Sequence, residues 1–185
     1  MITNEIISGL IENLEASSIS DANERLPKEE QIRCHLYHLL IRPNRHICAE
    51  HRYGSIDEKP KYESDLWVRE SNGNEHWIEI KTAWFSSDLN NKVPLQLQSW
   101  IYDISKLATA SSISDRSFIL IALTNFDTQS NDAKDHPLIK SLNAISEFPP
   151  KICCSKTFHW PHAQSVTHIT SWVWHWGVNE VIPSA

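Results

Sequence analysis

A mixed α/β sheet with helices packed on it is the fold class the chain predicts, on three observations. Two amphipathic helical segments come first, at residues 3–16 and 28–41. Three strand-like segments follow, at 46–53, 64–69 and 76–83, then a helical stretch at 95–111 and a buried strand at 117–124. No internal repeat, low-complexity tract or linker interrupts the 185 residues, so 1–185 is expected to form one domain with a sizeable core.

Each element has a local reason. Ile6, Ile7, Leu10, Ile11 and Leu14 recur at helical spacing in the first helix. Ser17 to Asn23 is polar and predicts a loop. Pro27 stands where the second helix can begin, Ile32, Leu36, Leu39 and Leu40 form its apolar face, and Pro43-Asn44 ends it. A loop is expected through Pro60, and the second and third strands flank the turn Ser71-Asn72-Gly73. Leu138 to Glu147 predicts a further helix, and Lys156–Trp160 and Thr170–Gly177 predict late strands.

Composition limits the function classes. Hydrophobic residues make up 41% and charged residues 22%, as in ordinary globular domains. The longest strongly apolar run, Phe118–Leu123, is too short to cross a bilayer, so no membrane partner is expected. Met1-Ile2-Thr3-Asn4-Glu5 lacks the basic start of a signal peptide. Cys34, Cys48, Cys153 and Cys154 follow no framework spacing, so reduced thiols and a cytoplasmic location are expected. The net charge of −6 argues against simple non-specific binding of nucleic acid. Residues 25–61 are nevertheless basic, with eight Lys/Arg and four His against five Asp/Glu. Such a stretch is either a solvated mixed-charge surface or a face that meets phosphate.

The tripeptide pattern (D/E)-x-K occurs three times: Asp57-Glu58-Lys59, Glu79-Ile80-Lys81 and Asp132-Ala133-Lys134. The first and third lie in polar stretches. Only the second interrupts an apolar strand, Trp77-Ile78-Glu79-Ile80-Lys81. Burying a charge in a strand is expensive, and positions i and i+2 share one sheet face. Asp65 likewise sits among apolar neighbours in the preceding strand. A two-residue Asn72-Gly73 turn would mix polar and apolar side chains on each face. A three-residue loop with Gly73 left-handed pairs Glu70 with Asn74, Trp67 with Trp77 and Leu66 with Ile78, and it sets Asp65 opposite Glu79. Carboxylates so placed repel unless a cation lies between them, and a hard divalent metal accepts oxygen ligands.

At Asp65, Glu79 and Lys81 the sequence resembles the PD-(D/E)xK, or restriction-endonuclease-like, nuclease superfamily. The resemblance covers roughly residues 25–125. It implies a restriction-endonuclease-like αβββαβ core, with an N-terminal helix and C-terminal strands as additions. It also implies Mg²⁺ or Mn²⁺ on Asp65 and Glu79, aided by the Ile80 carbonyl. Lys81 would orient the attacking water and stabilise phosphate charge. Ser64 stands where the superfamily usually has proline. Many members add a glutamate from the preceding helix. At about 100° per residue Glu29 projects toward the sheet and Glu30 away from it, so Glu29 is preferred. Both also fit as first-turn acids favoured by the helix dipole. Gln98 and Tyr102 match the Q-x-x-x-Y pattern of RecB-like members, and i, i+4 spacing puts them on one helical face.

The expected activity is metal-dependent hydrolysis of phosphodiester bonds, with DNA as the partner. Gln98, Tyr102, Arg33 and Arg52 are the expected substrate contacts. Two rivals remain: a degenerate nuclease fold serving as a nucleic-acid-binding or assembly subunit, and an unrelated α/β protein whose charged strand faces solvent. Cys153, Cys154, His159 and His162 fit no familiar zinc spacing. Trp172, Trp174 and Trp176 alternate along one strand face, which suits a core, stacked bases or a homodimer contact.

Overall fold

The computed structural model describes residues 2–20, 28–53, 62–85, 93–108, 115–124, 140, 152–159 and 168–178. Helices α1 (Asn4–Ser20) and α2 (Glu29–Leu40) precede strands β1 (Arg45–Tyr53), β2 (Tyr62–Glu70) and β3 (Glu75–Phe85). Helix α3 (Val93–Ala108) leads to β4 (Asp115–Thr124), β5 (Ile152–His159) and β6 (His168–Gly177). The strands form one sheet in the order β1-β2-β3-β4-β6-β5. β3 and β4 run parallel and the other neighbouring pairs antiparallel, so the sheet is mixed. Among the described residues no helix is long and apolar enough to cross a membrane.

Alternation along the strands divides the interior into two cores. Ile78 and Ile80 of β3, Ile119 and Ile121 of β4 and Val173 of β6 meet the apolar faces of α1 and α2. On the opposite side Trp77, Phe118, Leu120, Trp174 and Trp176 meet Trp100 and Leu107 of α3. Helices thus cover both faces of the central strands, which explains why Phe118 to Leu123 reads as an unbroken apolar run. Gly9 permits a close approach of α2 to α1, since a Cβ there would lie 2.9 Å from Leu39 Cδ2. Trp172, Trp174 and Trp176 are buried, so of the three uses open to them in sequence the structure selects the core.

The turn between β2 and β3 takes the three-residue form. Glu70 N–H donates to Asn74 O and Gly73 N–H to Glu70 O, both at 2.9 Å, and Gly73 has φ +86°. Leu66 pairs with Ile78 and Trp67 with Trp77. β5 begins at Ile152, earlier than the expected Lys156, because its whole length pairs with the tryptophan strand β6. Of the expected helix 138–147 only Lys140 is described, and it is helical. Pro27 and the two other (D/E)-x-K tripeptides lie outside the described residues. Cys34 and Cys48 are free thiols.

Candidate active site

The site forms where β2 and β3 part. Their ladder extends from Arg69–Glu75 to Leu66–Ile78 and stops. Past that point β3 continues to Phe85, paired with β4, while β2 continues back to Tyr62, paired with β1. Asp65 and Glu79 occupy the first position beyond the ladder, opposite each other in the register that the loop length predicted but outside its hydrogen-bonded pairs. Asp65 turns its carboxylate to β3 instead, and the Ile80 N–H donates to Asp65 Oδ2 at 2.6 Å. A side chain here replaces the missing backbone acceptor of the neighbouring strand.

The same point carries an irregularity between β1 and β2. Pairing passes from Ala49–Leu66 to His51–Ser64, leaving Glu50 and Asp65 outside the ladder. Glu50 has φ +53°, a left-handed conformation unusual for a residue with a Cβ. Cys48 packs against the α3-side core, and His51 stacks on Trp67 of that same core with ring centroids 4.2 Å apart. Positions three apart therefore face the same way, the mark of a slip in alternation at Glu50. The slip leaves Glu50 within reach of α2, where Arg33 Nη1 lies 3.1 Å from Glu50 Oε1 and 3.7 Å from Asp65 Oδ1.

Lys81 is the hub. Its Nζ lies 2.9 Å from Glu79 Oε1, 3.5 Å from Asp103 Oδ2 and 3.9 Å from Glu29 Oε1. Because β2 no longer pairs with β3 at this level, side chains from α2 on one sheet face and α3 on the other both reach the Lys81 ammonium. Glu29 is half-buried and reaches it, whereas Glu30 is exposed. The preference for Glu29, made from helical angle, agrees with this placement.

Electrostatics follow from burial. The Glu79 side chain is 6% exposed, and burial pushes its carboxyl up to about 7, with Asp65 adding and Lys81 opposing. Burial also raises Asp65, against the Ile80 hydrogen bond, Lys81 and Arg33. Burial raises Glu29 too, against Lys81. Lys81 is held above its usual range: burial lowers it, but Glu79, Asp65 and Asp103 together outweigh that effect. Among the described residues no three or more His, Cys, Asp or Glu side chains are gathered closely enough to hold a metal ion on their own. The ammonium of Lys81 stands among the carboxylates instead.

The other expected substrate contacts, Arg52, Gln98 and Tyr102, are exposed. Arg52 is exposed and paired with Glu63 at 2.8 Å. Gln98 is exposed, and Tyr102 is 58% exposed beneath the Lys106 ammonium. The two do share a helical face, but that face of α3 looks outward. The inward stripe is Trp100, Asp103 and Leu107, all buried. Asp103 is the acid that sequence reasoning missed, and its signal was present: it lies three residues after Trp100 and four before Leu107. An acid on the apolar face of a helix is as conspicuous as one inside an apolar strand. Lys106 Nζ lies 2.6 Å from its Oδ1. Glu50 was also missed, because nothing local marks a strand residue for a left-handed backbone.

Around Lys81 and Asp65 five acids (Glu29, Glu50, Asp65, Glu79, Asp103) thus meet three bases (Arg33, Lys81, Lys106). With all ionised, this donor set carries two surplus negative charges, and its ligand atoms are hard oxygens. Hard oxygens are the ligand atoms that Mg²⁺ and Mn²⁺ accept. Comparison with protein-family models, with curated proteins and with solved structures finds no match for this chain.

Proposed function

We propose that the chain is a Mg²⁺- or Mn²⁺-dependent nuclease of the PD-(D/E)xK type that hydrolyses phosphodiester bonds, with DNA as substrate. The observation that carries this reading is the meeting of Asp65, Glu79 and Lys81 at the point where β2 and β3 part, with Glu29 arriving from α2. The order α2, β1, β2, β3, α3, β4 supports a restriction-endonuclease-like core, with α1, β5 and β6 as additions.

Asp65 and Glu79 would hold the metal, with the Ile80 carbonyl as a further oxygen donor. When bound, the metal supplies Lewis acidity to a phosphate oxygen and to the attacking water. The remaining work falls to the chain's own side chains. Lys81 presents an ammonium that stays protonated, so it orients water and balances charge that develops on the phosphate. Arg33 lies beside Asp65 and offers a fork to a neighbouring phosphate. Glu29, raised by burial and close to Lys81, is suited to exchange a proton with that water.

The test is incubation with supercoiled, linear and single-stranded DNA in Mg²⁺, Mn²⁺ or EDTA. Cleavage that needs the metal and is lost in Asp65→Ala supports the reading. Absence of cleavage on every substrate removes it. One observation favours a second reading, a degenerate nuclease fold acting as a binding or assembly subunit. Lys81 already pairs with Glu79 and Lys106 with Asp103, and such a network can persist without metal. That protein would cut nothing, and EDTA would leave its thermal stability unchanged.

A further inference from the structure

Asp103 is placed with unusual definition for an acid on a helix. It stands on the inward stripe of α3 between Trp100 and Leu107, and its side chain is nearly buried. One oxygen, Oδ1, takes the Lys106 ammonium at 2.6 Å. The other, Oδ2, lies 3.5 Å from Lys81 Nζ, which is 2.9 Å from Glu79 Oε1. Lys81 therefore stands between two carboxylates, in hydrogen-bond contact with Glu79 and just out of contact with Asp103.

This arrangement raises a question of charge. A carboxylate that binds a divalent cation cannot also hold an ammonium at full strength, because the two cations repel across it. The ammonium must leave Glu79 when metal arrives, and in a partly buried site it must find another acceptor. Glu29 is the less suitable one: it is farther away, at 3.9 Å, and more exposed. We propose that Asp103 is a positioning residue, the counter-ion that receives the Lys81 ammonium when Glu79 turns to a divalent cation. The inference rests on the metal-dependent reading above and deepens it. It gives α3 a part in metal loading through an inward acid, where the Q-x-x-x-Y pattern had pointed to the outward face.

The experiment is calorimetric titration of the full chain with Mn²⁺, with folding checked by circular dichroism. The variants are Asp103→Asn, Asp103→Glu, Lys81→Met and the Lys81→Met/Asp103→Asn pair. Asp103→Asn is expected to weaken Mn²⁺ binding roughly fivefold, the size of one partly screened charge contact. Asp103→Glu should recover most of that loss. Lys81→Met removes the competing ammonium, so it should bind Mn²⁺ at least as tightly as wild type, and adding Asp103→Asn to it should cost nothing further. An Asp103→Asn variant with wild-type affinity overturns the proposal while leaving the nuclease reading intact. So does a loss that persists in full beside Lys81→Met, since Asp103 would then act without the lysine. A wild-type chain that binds no Mn²⁺ overturns both. Should Asp103→Asn fail to fold, Lys81→Met decides alone: binding weaker than wild type means that Lys81 does not compete for Glu79.

Discussion

The Ile80 backbone N–H donates to the Asp65 carboxylate at 2.6 Å, across the gap that opens where β2 stops pairing with β3. Asp65 thus has two separable duties, as an acceptor for β3 and as a charge in the site. Asp65→Asn keeps an acceptor oxygen and removes the charge, whereas Asp65→Ala removes both. Both variants are expected to abolish metal-dependent cleavage. In EDTA, Asp65→Asn should match or exceed wild-type stability, because a repelling carboxylate is gone. Asp65→Ala should fall below Asp65→Asn by about 1–2 kcal/mol for the deprived N–H. Urea denaturation of the two variants measures this difference, and equal stability would show that the hydrogen bond contributes nothing.

Glu79 links metal-free stability to pH. Burial lifts its carboxyl from an ordinary 4.5 to about 7 in the folded chain, so the folded state binds its proton more tightly than the unfolded state does. For a carboxyl raised in this way the penalty is absent below the unfolded value, grows as pH climbs from 4.5 toward 7, and is complete above that. Glu79→Gln has no such proton to lose. Its stability relative to wild type should therefore rise across this window, by about 1–3 kcal/mol in EDTA. Denaturation midpoints at pH 5 and pH 8 are the measurement, and a constant difference between the two proteins would contradict it.

In the proposed mechanism Lys81 acts on water and phosphate and is not a metal ligand. Lys81→Ala should lower turnover about 10²- to 10³-fold, the usual effect of losing one charge-stabilising group. Mn²⁺ affinity should be no weaker than in wild type. Parallel cleavage assays and calorimetry separate the two effects. If Lys81→Ala and Asp65→Ala both cut at the wild-type rate, the activity resides elsewhere.

A buried polar relay lies near the start of β3. The Ser117 hydroxyl sits 2.8 Å from His76 Nε2 and 2.6 Å from His175 Nε2. A hydroxyl carries one proton, so one ring must present an N–H to it and the other a lone pair. Ser117→Ala removes this bridge from three buried strands and should destabilise the chain by about 1–3 kcal/mol. Cleavage should continue undiminished below the melting temperature. A thermal melt beside the nuclease assay tests both expectations, and a loss of activity in a folded Ser117→Ala chain would tie the relay to the site.

The residues that local physics could find share one property: each breaks a short-range rule. Glu79 and Lys81 interrupt an apolar strand, Asp65 interrupts another, and Gly73 answers the one position that needs a left-handed backbone. Uniformity of the two faces then selected the three-residue loop, whose register the β2–β3 ladder shows. Asp103 breaks the same kind of rule on α3, on the buried face, whereas Gln98 and Tyr102 share the exposed one.

By itself the sequence determined the element order, the β2–β3 register, the burial of the strand at 117–124 and the acids and lysine set among apolar neighbours. All of these follow from periodicity and from the cost of desolvating charge, which act over a few residues. Only the tertiary structure decided where β2 leaves β3, and hence that Asp65 accepts from the Ile80 N–H. It alone turned Glu50 toward Arg33, and it alone brought α2 and α3, from opposite faces of the sheet, onto one ammonium at Lys81. Those relationships join residues from 15 to 52 positions apart in the chain. They depend on how far each strand runs and how each helix is rotated, quantities set by packing of the whole domain and not by any local pattern.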